Sequence, residues 1–133
     1  MSPGGSESAE GVALSKAEES LAVAEVAFAA GHFNSCASRS YYACFQAATA
    51  ALIHEGIWPR GEWSHTFVHS QFVGLLINRR HLFDPRLRLA LEESDRIRRI
   101  ADYSLVRDAT EREAWKALQF AQAIVGALRG RRG

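Results

Sequence analysis

Arg98, Arg99, Asp102 and Tyr103 fall within one short stretch of this 133-residue chain and carry the side chains best suited to anion chemistry. Two adjacent guanidiniums offer planar, permanently charged forks to a phosphate. The tyrosine can donate a hydrogen bond to such a group or stack on a base. Asp102 stands four residues after Arg98, and the plainest reading of that spacing is an ion pair along one helix, with the carboxylate orienting the arginine. Arg96, Arg99 and Tyr103 share a neighbouring face. A phosphate-holding face fits that spacing, and so does a solvated arginine row with one aromatic covering the helix end.

His65 and His69 are one helical turn apart, a spacing that can hold a metal. Glu62-Trp63-Ser64-His65 also has the Glu-x-x-His form of di-iron bundles. Those bundles need a second copy of the motif and two further glutamates, and the second copy is missing. No metal or cofactor is therefore expected, and His65 reads as a residue at a helix start that faces a cleft. Arg39 and Tyr42 either reach an interface or close the core. Trp58 and Trp63 flank a proline-containing loop as a partner contact or a lid over the core. No Walker loop, dinucleotide fingerprint or serine-triad context is present.

The elements that must position these residues are all helices. Ser15-Lys16-Ala17-Glu18 has the form of a capping box, with Leu14, Ala17, Leu21, Ala24 and Phe28 spaced by threes and fours behind it and Gly31 as a stop. The second helix is predicted over about 34–54. It is apolar nearly all round, so it needs cover on two sides, from another helix or another subunit. Ser64 caps a third helix, Asp84-Pro85 starts a fourth that runs to about Tyr103, and Thr110-Glu111-Arg112-Glu113 is a second capping box opening the last. No stretch alternates like a strand. The expectation is an all-α, up-and-down bundle of about five helices over 14–129, between a flexible tail at 1–13 and a basic tail at 130–133.

Composition agrees. The chain is 47% apolar with a formal charge of +1, so no global field argues for nucleic acid. The basic residues are nearly all arginine, and many lie between Arg79 and Arg107 among interspersed acids. Cys36 and Cys44, about 12 Å apart along one helix, are too distant to pair with each other. Reduced thiols, no membrane-length apolar run and no signal-like start point to the cytoplasm.

Three segments together resemble a known family. Arg39-Ser40-Tyr41-Tyr42-Ala43-Cys44-Phe45-Gln46-Ala47-Ala48 is followed by Ser64-His65 at a helix start and then by Arg98-Arg99-Ile100-Ala101-Asp102-Tyr103. Their order and spacing resemble the HEPN superfamily, most closely its small stand-alone prokaryotic members, over about 15–128.

The resemblance implies a helical bundle that forms a homodimer, with arginines of both subunits lining a cleft. Many members are metal-independent ribonucleases with an Arg-x4-6-His motif. Others bind RNA or nucleotides, or are paired with a minimal nucleotidyltransferase in toxin–antitoxin operons. Arg98 aligns with the motif arginine, yet no histidine follows within four to six residues, and none occurs after His81. Removing a 2′-hydroxyl proton near neutral pH suits histidine, whereas tyrosine, with a pKa of about 10, is a poor base. The leading expectation is an RNA- or nucleotide-phosphate-binding homodimer, one component of a two-gene system with a nucleotidyltransferase partner. Arg98, Arg99, Tyr103 and His65 bind phosphate in that reading, and Arg39 and Tyr42 reach the interface. The alternatives are an atypical ribonuclease using Arg98, Asp102 and Tyr103 or His65, and a structural module without a ligand.

Overall fold

A computed structural model describes residues 5–132, with side chains from 9 to 131. Helix α1 spans Gly5–Ala29, α2 Phe33–His54, α3 His65–Gln71, α4 Arg88–Tyr103 and α5 Glu111–Arg132. A π-helical stretch, Phe72–Arg79, continues α3, and a 3-10 turn, Pro85–Leu87, leads into α4. No strand occurs among the described residues. The predicted all-α bundle is the fold of the chain.

Local chemistry sets most of the ends. Ser64 Oγ accepts from the Phe67 amide at 3.1 Å. Asp84 accepts from the Arg86 amide at 2.9 Å, with Pro85 at the first helical position. At α5 the capping box is reciprocal: the Glu113 amide donates to Thr110 Oγ1 and the Thr110 amide to Glu113 Oε1, both at 3.0 Å. Gly31 leaves α1 at φ 78° and Gly56 follows α2 at φ 75°, backbone that a side chain would strain.

Two expected boundaries are corrected. The capping-box motif at Ser15 lies inside α1, which starts at Gly5, so residues 5–13 are helix rather than tail. Packing explains the extension: Glu10 is 3.0 Å from His54 Nδ1 on α2, and Leu14 packs against the core. Residues 1–4 lie outside the described residues. At the other end α5 continues to Arg132 through most of the expected basic tail. Arg131 donates to the Leu82 carbonyl at 3.2 Å and lies 5.0 Å from the Phe83 ring centroid, which holds that last turn down.

Helix α2 is the centre of the bundle and packs on α1, α4 and α5. Its buried face is mostly small: Ala37, Ala43, Ala47, Ala48 and Ala51 let neighbouring backbones approach closely. Phe72, Leu76, Leu91, Ile124 and Leu52 fill the space between. Cys36 and Cys44 are buried and free. The cover that α2 requires therefore comes largely from its own chain. Its remaining side, with Tyr42, Phe45 and Ile53, forms with Val12 and Trp63 an open groove of about 710 Å³.

Candidate functional site

Helix α4 brings an arginine into the core. Leu91, Ser94, Ile97 and Arg98 form its buried face. Arg98 is only 7% exposed. Its Nη2 and Nε donate to Asp95 Oδ1 at 2.6 and 3.1 Å, and its Nη1 lies 3.6 Å from Asp102 Oδ2. Burial works against the charge, but the bonds to Asp95 outweigh it and the proton is held more tightly than in an ordinary arginine. The guanidinium sits 4.8 Å from the ring centroid of Tyr41, 5.9 Å from that of Tyr42 and 5.8 Å from that of Tyr103. Three electron-rich faces thus replace part of the water it has lost.

Tyr41 links this arginine to α3. It is wholly buried, and its hydroxyl is hydrogen-bonded to Nδ1 of His65 and, at 3.0 Å, to Nε2 of His69. The His65 ring stacks on Tyr41 with 5.3 Å between centroids and an 11° tilt, and Phe45 flanks it at 4.9 Å. Burial, and then the nearby Asp95 carboxylate, push the Tyr41 phenol above its ordinary range, against a smaller pull from Arg98. Burial likewise lowers the pKa of His69, while Asp95 pulls it back up. The metal-like spacing of His65 and His69 is used to clasp a hydroxyl.

The predicted residues are placed unequally. Arg98, Asp102, Tyr103, Tyr42 and His65 belong to one cluster. Asp102 also accepts from Ser38 on α2 at 3.4 Å. Tyr103 is 68% exposed. Arg99 is exposed and reaches Asp95 Oδ2 only at 3.5 Å. Arg39 is exposed on α2. Trp58 and Trp63 pack on each other at 5.5 Å, with Trp63 edge-on to Phe67. Sequence reasoning missed Asp95 and Tyr41, and it weighed His69 only as half of a metal-like spacing. The three-residue step from Asp95 to Arg98 was a usable signal, whereas Tyr41 read as ordinary core.

The HEPN domain family model matches residues 12–131, nearly the whole chain. The chain belongs to the HEPN domain family. A search of the curated proteins finds no match. In this HEPN domain no histidine follows Arg98 on α4. The histidines of its cluster come from α3 and reach it through Tyr41. Among the described residues no helix is long and apolar enough to cross a membrane.

Proposed function

We propose that this HEPN domain binds RNA or a nucleotide through its phosphate at the C-terminal half of α4. In this reading it works as a cytoplasmic homodimer and as one component of a prokaryotic, toxin–antitoxin-type gene pair whose other member is a minimal nucleotidyltransferase. Family membership supports the ligand class. The observation that carries the reading is a buried Arg98 among tyrosine rings, with Arg99 and Tyr103 open beside it. A buried ion pair adds little stability over an apolar side chain of similar volume, so a charge kept there fits a binding role.

The charges are balanced in the free protein, two arginines against Asp95 and Asp102. A phosphate would first take Arg99, whose exposed pair with Asp95 is worth at most about 1 kcal/mol. It would next meet Nη1 of Arg98, and Tyr103 would stack on the attached base. A two-fold axis would bring a second set of these arginines to the cleft, with Arg39 and Tyr42 on the facing α2 surfaces.

The test is fluorescence anisotropy with a labelled single-stranded RNA and with a labelled nucleotide. Arg99→Ala/Tyr103→Ala should weaken binding about tenfold or more, since base stacking alone is worth about 1–3 kcal/mol. Equally weak binding by both proteins would leave a structural partner without a ligand.

A further inference from the structure

Phosphate binding at α4 gives no task to the open groove of about 710 Å³ along α1 and α2. That volume is typical of small-molecule sites. Val12 and Lys16 line it from α1, Tyr42, Phe45 and Ile53 from α2, and Trp63 from the loop before α3. Ten residues make up the lining, whereas a stable protein contact engages about 20–30 on each side. The groove is sized for a small molecule.

Its uncharged polar side chains are turned inward. Thr49 Oγ1 donates to the Phe45 carbonyl at 2.9 Å. The Gln46 amide bonds to Ser20 Oγ at 2.8 Å and, with its nitrogen on that side, donates to the main-chain carbonyls of Lys16 and Tyr42 at 3.0 and 3.1 Å. The open surface is therefore aromatic and aliphatic, with one charged side chain, Lys16, among the described lining residues. Lys16 is exposed, and no carboxylate lies within ion-pairing distance of it among the described residues. Of its neighbours on α1, Glu18 pairs with Arg129 at 2.9 Å and Glu10 lies 3.0 Å from His54.

The contact with Gln46 also fixes where the charge sits. Lys16 is level with Gln46 on α2, and from there to Ile53 the helix rises about 10 Å. A cation thus stands toward one end of an apolar trough. Past the other end come Glu10 and His54, so a negative group is favoured only beside Lys16.

We infer that this groove binds a small amphiphilic anion, an unbranched apolar chain of about that length ending in a carboxylate. The carboxylate meets the Lys16 ammonium, and the chain lies along Phe45, Val12, Trp63 and Ile53. One ammonium balances one carboxylate, whereas a phosphate monoester carries nearly two charges and would leave part of its charge unmet. The inference is independent of the phosphate reading and places a second ligand on a different face of α2.

The test is calorimetry of the full chain with decanoate and with decylammonium, which has the same tail and the opposite charge, both below micelle-forming concentration. Decanoate should bind, and more tightly than decylammonium. Lys16→Glu, at an exposed position, should weaken decanoate about fivefold or more and reverse the order of the two. Ala13→Trp, which fills the groove, should abolish binding of both while the melting temperature holds. Absence of decanoate binding by wild type overturns the inference, and so does tighter binding of decylammonium. Decanoate affinity unchanged in Lys16→Glu removes the anion from Lys16, and affinity unchanged in Ala13→Trp removes it from the groove; either result overturns the inference too. If either variant splits an oligomer in sedimentation without decanoate, the groove is a contact between copies and the ligand reading fails.

Discussion

Asp95 accepts from Arg98 through a single oxygen, 2.6 Å from Nη2 and 3.1 Å from Nε, and the arginine side chain of that pair is only 9% exposed. Removing the acid leaves a core guanidinium with only the 3.6 Å approach of the Asp102 carboxylate, which is worse than never having placed a charge there. Asp95→Ala should therefore destabilise the fold by about 3 kcal/mol. Arg98→Met, which fills a similar volume without charge, should cost clearly less than Asp95→Ala. Urea unfolding of both variants decides the order. Equal losses would mean that Asp95 matters for packing and not for charge.

His69 makes stability depend on pH. Its folded pKa lies below the ordinary value of 6.5, mainly because it is buried. The unfolded chain therefore binds a proton more readily, and the stability linked to His69 is present above the ordinary value and lost as pH falls below it. Unfolding free energies at pH 7.5 and pH 5 should differ by more in wild type than in His69→Gln. An unchanged difference would place the acid sensitivity elsewhere.

Glu113 contributes at a lower pH. Bonds from Arg107, at 2.8 and 3.0 Å, and from the Thr110 cap hold its carboxyl at about 2. Its contribution is present above the ordinary carboxylate range and lost as pH falls toward 2. Thr110→Ala should cost about 1 kcal/mol at neutral pH. Glu113→Gln should flatten the acid limb of a thermal-melt series.

Leu105 and Val106, just past Tyr103, are 101% and 93% exposed. Two aliphatic side chains in water beside the arginine pole are what a self-association surface would present. For the proposed homodimer, Leu105→Asp/Val106→Asp should shift light-scattering mass from dimer toward monomer without lowering the melting temperature of the monomer. An unchanged dimer would place the interface on another face.

The starts at Ser64, Asp84-Pro85 and Thr110 were legible because capping is local chemistry, complete within four residues. Ser15 has the same pattern but lies mid-helix. What extends α1 to Gly5 is contact with a helix some 44 residues away, through Glu10 and His54. The candidate site divides in the same way. Arg98, Asp102 and Tyr103 announce themselves by spacing on one helix. Tyr41 meets its histidines across 24 and 28 residues of sequence, so no local periodicity reveals that a core-like tyrosine joins α2, α3 and α4. That no histidine follows Arg98 on α4 can be read from the sequence, whereas the histidines on α3 are brought beside Arg98 only by the packing of the bundle.

The π-helical stretch after α3 has a consequence for how this chain tolerates length changes. Phe72, Leu76 and Ile77 are all buried, and the wider turn is what lets neighbours four and five apart share one side. Deleting a single residue such as Gly74 would tighten the coil into ordinary α geometry and bring those hydrophobes to three- and four-residue spacing, which still shares one side. The five-residue hydrogen bond from the Arg80 amide to the Leu75 carbonyl, 2.9 Å, would give way to an ordinary four-residue one. A one-residue loss is therefore absorbed by the coil here, whereas an added residue would rotate the downstream core by about 100°, and either change in the 58–63 loop would alter only a connection.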